Sequence, residues 1–138
     1  MSAEELLEDF EFLDSWEDRF RLIVELGREL EPMDPADKND ETRMYGCQSQ
    51  VWIKSELIPG DPPRLHFVGD SDAQIVKGLI FIVLDIYNDK TPREILDFDI
   101  HGLFDKLELA NHLTPSRANG LSNMVETIRR TAERYIED

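Results

Sequence analysis

Positive charge is scarce in this sequence. Its 138 residues carry 15 Lys and Arg against 30 Asp and Glu, a formal net charge of −15. The first 18 residues contain neither Lys nor Arg. Nucleic acid and anionic membranes repel such a chain, so neither is expected as its main partner. A basic protein surface, or plain solubility, fits the charge. Cysteine is nearly absent: Cys47 stands alone, which excludes an internal disulfide framework. Long apolar runs are absent too. The longest unbroken aliphatic or aromatic stretch, Leu79 to Leu84, falls far short of the ~20 residues that a membrane-spanning helix needs. Met1 to Glu5 has no basic start and no apolar core, so no signal peptide is expected. These absences predict a soluble protein of a reducing compartment, the cytoplasm.

What is present belongs to a globular chain. The hydrophobic fraction of 41% is too high for disorder. The length suggests one domain over residues 1–138, able to bury roughly two-thirds of its unfolded surface. Residues 2–13 and 15–30 read as helices, opened by the capping-box patterns Ser2-x-x-Glu5 and Ser15-x-x-Asp18. Trp16, Phe20, Ile23, Val24 and Leu26 form an apolar stripe at helical spacing. The eight acids of the first 18 residues read as a solvated helix face.

Pro32, Pro35 and the polar run from Asp37 to Glu41 make a loop. Thr42 to Tyr45, Gln50 to Ile58 and Arg64 to Val68 read as three strands, with Leu65 and Phe67 on one face and His66 on the other. Their short connections favour an antiparallel sheet. Gly69-Asp70 is expected to end it. Ser71-x-x-Gln74 reads as the cap of a strongly apolar helix reaching Tyr87, whose narrow remaining face is Lys77, Phe81, Asp85 and Asn88. Thr91-Pro92-Arg93-Glu94 opens a short helix with cap, proline and glutamate in their preferred places. Further helices are expected over 102–109 and from Thr114-Pro115 onward, the last with Leu121, Met124, Val125, Ile128, Ala132 and Tyr135 facing the core. The order predicts an α+β fold: a small three-stranded antiparallel sheet with helices packed on one face.

The chemistry-bearing residues are few. Cys47 follows Gly46 and precedes Gln48, Ser49 and Gln50, so a packing thiol and a reactive thiol are both open readings. A cysteine hydrolase would pair it with a base, but nothing in the sequence joins it to His66, His101 or His112. No CxxC or HxxxH spacing suggests a metal site, and no glycine-rich phosphate loop is present. Asp70 and Asp72 read first as turn and helix-start residues. Arg117 lies in the first turn of the last helix, where positive charge is disfavoured by ~0.3–1 kcal/mol. Two readings stand: an ion pair with Asp105 or Glu108, or an arginine held out for a partner or anion.

"YGCQSQVW", "GDSDAQIVKGLIFIVLDIY", "KTPREILDFDI" and "HLTPSRANGL", in this order and spacing, resemble the SufE family of sulfur-acceptor proteins, including its CsdE branch. The likeness spans Phe10 to Tyr135. It implies an α+β fold like that of IscU-type scaffolds. It also implies sulfur transfer from the persulfide of a pyridoxal-phosphate cysteine desulfurase of the SufS or CsdA type, with delivery to an iron–sulfur scaffold complex of the SufBCD type. The protein would act as the desulfurase's activator, as monomer or homodimer, with no cofactor or metal of its own. Cys47 would be the acceptor. Gln48 and Ser49 would shape its loop, and Asp70, Asp72 and Arg117 would serve docking. Phe81 and Gln74 depart from the small residues usual in the family. A cysteine hydrolase, or an acidic adaptor with an inert cysteine, are the rival readings.

Overall fold

A computed structural model describes residues 3–44 and 49–136. Two helices come first, α1 (Ala3–Phe12) and α2 (Trp16–Gly27). The segment 28–42, with a 3-10 turn at Pro35–Asp37, follows, then strands β1 (Arg43–Met44), β2 (Val51–Ile58) and β3 (Arg64–Ser71). The central helix α3 (Gln74–Tyr87) leads to α4 (Pro92–Asp97), α5 (Ile100–Leu107), α6 (Leu109–His112) and the long α7 (Pro115–Arg134). The sheet is antiparallel in the order β1-β2-β3, so the expected α+β meander is what the chain forms.

Strand register divides the sheet into two faces. Val51 pairs with Ser71, Ile53 with Gly69 and Leu57 with Leu65; Trp52 pairs with Asp70, Lys54 with Val68 and Glu56 with His66. The first set lies on the inward face, buried except for Leu57 near the far end of β2. Gly69 lets α3 lie close on this face: a Cβ there would meet Ile80 at 3.0 Å and Leu84 at 3.4 Å. Helix α3 is buried on nearly every side, because α2 crosses it at backbone distance. A Cβ on Gly78 would collide with the Ile23 carbonyl oxygen. The free edge of β3 is covered by residues 88–90. Asn88 imitates a strand, accepting from the Phe67 amide at 2.7 Å and donating to its carbonyl at 3.1 Å, and the Leu65 amide donates to Lys90 O at 2.9 Å.

Several boundaries differ from the sequence reading, each for a local reason. Helix α2 stops at Gly27, where the Arg28 amide turns back to the Glu25 and Leu26 carbonyls. Strand β3 continues past Gly69-Asp70 to Ser71, because the pairing with Val51 outlasts the turn-like composition. Ser71 therefore does not cap α3. Its hydroxyl accepts from Ala73 N at 3.2 Å, and the helix starts after Ala73 without a side-chain cap. Helix α5 starts at Ile100, earlier than expected, because Asp99 accepts from Gly102 N at 3.0 Å. It ends at Leu107, where Glu108 turns left-handed (φ 57°) and α6 begins. Ser15 and Thr91 do cap their helices, Thr91 with the full reciprocal box to Glu94. Ser2 lies outside the described residues.

Candidate functional site

Cys47 and Gln48 lie outside the described residues, which continue from Ser49. Ser49 and Val51 form one side of a pocket with about 20 Å³ of free space, little more than one water molecule occupies. Val76 and Leu79 of α3 form a second wall. Ser116, Arg117, Gly120, Leu121 and Met124 of α7 form the third. The spacing of the α7 residues is that of one helical face. Among the described residues, Arg117 is the only charged group in the lining.

Helix α7 presents Arg117 there because Thr114 caps it. The Thr114 hydroxyl accepts from Arg117 N at 3.3 Å, and Pro115 occupies the first helical position. Among the described residues the guanidinium makes no ion pair with Asp105 or Glu108 and no side-chain hydrogen bond. Of the two sequence readings, the held-out arginine fits the geometry. A cation over an apolar pocket favours an anion, since a nearby opposite charge stabilises the ionised form.

The two aspartates of the GDSD stretch point to different work. The Asp72 carboxylate accepts from Gln50 N at 3.0 Å, and its own amide donates to Gln50 O at 3.4 Å. It thus ties the start of β2 to the start of α3, beside Ser49. Asp70 lies on the outer face, bonded to Lys38 at 2.6 Å and paired with Lys77 at 3.5 Å. Partial burial pushes its pKa up, but Lys38, the Ser71 amide and Lys77 outweigh this and hold it below the usual carboxylate range. Ser49, Asp72 and Arg117 are brought to one end of the sheet; Asp70 is engaged elsewhere.

None of the three histidines lines the pocket. His66 is held between two carboxylates, and His112 is stacked on Trp16 with its Nδ1 at the Glu108 carbonyl. His101 sits edge-on to Phe104. The sequence reading missed Gln50 as the tether and treated Val76, Leu79, Leu121 and Met124 as core only. Their helical periodicity marked burial, but periodicity carries no sign that a gap remains beside them.

Comparison with known proteins follows this geometry. The family model described as "SufE: Fe-S metabolism associated domain" matches residues 4–132. An uncharacterized SufE-like protein of Rhizobium meliloti (strain 1021) is 42% identical over 133 residues, 96% of this chain and 95% of that protein. Another, from Rhizobium etli, is 42% identical over 134 residues, 96% of this chain and 90% of that protein. The solution structure of a hypothetical protein from Thermus thermophilus superposes with a TM-score of 0.75 at 18% identity, covering 96% of this chain and 94% of that one. At that identity the likeness is one of fold.

Proposed function

The chain belongs to the SufE family of Fe–S-metabolism proteins, and from that premise we propose that it accepts and carries sulfur, with Cys47 as the acceptor. The Cys47 thiolate attacks the outer sulfur of a persulfide on a pyridoxal-phosphate cysteine desulfurase. The new bond joins Cys47 Sγ to that sulfur, and the sulfur–sulfur bond on the desulfurase breaks. The desulfurase thiolate leaves, ready for another turnover, so the transfer activates that enzyme. No net oxidation or reduction occurs. A scaffold for iron–sulfur cluster assembly then takes the sulfur from Cys47.

The observation that carries this reading is Arg117, without a described ionic partner, on an apolar pocket that Ser49 also lines. Ser49 is two residues from Cys47, and two residues of chain reach at most ~7 Å. A guanidinium favours a nearby thiolate or persulfide anion over its protonated form. The apolar walls suit sulfur and exclude water, which protects a persulfide from oxidation. Asp72 holds the far end of the cysteine segment through Gln50, while Gln48 and Ser49 shape it. Arg117 and Asp72 face a docked desulfurase from the same end. Asp70 would have to leave Lys38 and Lys77 to join them.

The test mixes the protein with a cysteine desulfurase and free cysteine, then weighs it intact. The wild type gains the mass of one or more sulfur atoms, lost on thiol reduction, and accelerates sulfide release. Cys47→Ser keeps the fold, gains nothing and does not stimulate. Full stimulation by the Ser variant would sink the transfer mechanism. Binding without any mass gain would favour an inert acidic adaptor.

A further inference from the structure

Among the described residues, no α-helix packs on the outer face of the sheet. The segment between α2 and β1 crosses it as a strap, fastened by side chains of alternate residues of β2 and β3. Met33 is buried beneath the strap. Asp37 meets Lys54 at 3.2 Å, and Lys38 meets Asp70 while lying 5.5 Å from the Trp52 ring centre. The first fastening is of a different kind. Glu31 Oε1 lies 2.8 Å from His66 Nε2, and Asp89 Oδ1 lies 2.9 Å from His66 Nδ1. We propose that Glu31, His66 and Asp89 form a proton-dependent latch that holds the start of the strap against β3 and releases it when the imidazole loses its proton.

Two carboxylate oxygens at those distances require two N–H donors, and only the imidazolium has two. A neutral ring keeps one donor and turns a lone pair toward the other carboxylate, so one contact must open. Asp89 is the better anchored. Its amide donates to Leu65 O at 2.8 Å, and Arg64 Nη1 donates to its carbonyl at 2.8 Å. Glu31 has no such brace among the described residues and is the one released. The carboxylates sit at opposite ring nitrogens, so the three groups do not converge on one metal ion.

The surrounding charges favour the protonated form. Glu56 is the cross-strand neighbour of His66, and its carboxylate is paired with Lys54 at 3.3 Å. Arg64 and Lys90 flank Asp89; the Arg64 guanidinium donates to the Asp89 carbonyl, and both cations also act on the Glu94 carboxylate. Partial burial lowers the His66 pKa, and hydrogen bonds and charge from Glu31 and Asp89 more than restore it, for a net rise. The latch is therefore fully closed below the ordinary imidazole value of ~6.5 and opens as pH rises through the higher folded value. Opening affects more than one side chain. Glu29, Leu30 and Glu31 form a wall of a cavity of about 160 Å³, whose other lining includes Phe67, Phe81 and Leu84. The Glu29 and Leu30 amides are bonded to the Leu26 and Gly27 carbonyls at 3.0 and 3.4 Å, and these bonds report on the wall.

Hydrogen exchange of the purified protein tests this from about pH 5.5 to about pH 9, corrected for intrinsic exchange, beside an NMR titration of the three histidines. Protection of the Glu29 and Leu30 amides should fall about threefold or more in one step, at the pH where His66 titrates. Residues 37–42, held by lysines, should not take part. Glu31→Gln should lower the pH at which His66 titrates and remove most of the step. It also serves if His66→Gln fails to fold. The proposal is overturned if the Glu29 and Leu30 amides exchange independently of pH, if the whole strap loosens together, or if Glu31→Gln leaves the His66 titration unmoved.

Discussion

The two faces of the sheet share the same strands and are held by opposite chemistry. Inward, Val51, Ile53, Leu65 and Phe67 lose nearly all their exposure against the helical layer. Outward, Trp52, Lys54, His66 and Asp70 meet a strap that supplies Glu31, Asp37 and Lys38. Dispersion and the hydrophobic effect are indifferent to pH and are not screened by salt. Ion pairs at a half-wet surface are sensitive to both. The inner face therefore sets the stability of the fold, and the outer face makes part of the chain responsive. The candidate sulfur site sits where the inner face reaches α7, on the insensitive side.

The largest expected effect cuts the inner face. Phe67 is 1% exposed, so Phe67→Ala should cost about 3–5 kcal/mol, read as a lower urea midpoint. A loss below about 1 kcal/mol would mean the two faces contribute alike.

A smaller loss is expected outside. Lys38→Met removes the short bond to Asp70 and the cation over Trp52, leaving Lys77 as Asp70's ionic partner. The cost should be about 1 kcal/mol. It should shrink in high salt and at low pH. The Asp70 pKa is depressed, so its pairing is fully present above the ordinary carboxylate value of ~3.9 and is lost as pH falls through the folded value. The outer face thus loosens at both extremes, through Asp70 in acid and His66 in base. A Lys38→Met defect indifferent to salt would assign that contact to packing.

The smallest stability change belongs to Arg117→Ala. Removing a cation from the first turn of α7 should leave melting unchanged, or raise stability by up to ~0.3–1 kcal/mol. Stimulation of a desulfurase should weaken, and a higher dose should recover it. A large drop in melting temperature with full stimulation per folded molecule would instead make Arg117 a structural residue.

Local rules carried much of the architecture. The caps at Ser15, Thr91 and Thr114, the apolar periodicity of α3 and of α7 as far as Ala132, and the alternation of Leu65, His66 and Phe67 were all legible, because each depends on neighbours a few residues away; Tyr135, expected on the core face, lies past the end of α7 and is exposed. The order of elements then left an antiparallel meander as the natural sheet. Cys47 and Arg117 could be singled out as unusual in their local setting, and the four-motif resemblance joined them. What the sequence could not determine depends on residues distant along the chain. Ser71 reads as a cap, but a strand bond to Val51, twenty residues away, claims it. Nothing local singles out Gly78, and only the crossing of α2 makes a side chain there impossible without movement. Asp70 and Asp72 sit in one motif and look interchangeable. Strand alternation sends Asp70 to Lys38 on the outer face, and the turn after β3 sends Asp72 to Gln50. His66 is one exposed-face histidine among three until Glu31 and Asp89, 35 and 23 residues away, close on its two nitrogens. Pairings of that kind depend on the path of the backbone through space, which hydrophobic burial sets for the chain as a whole and no local pattern encodes.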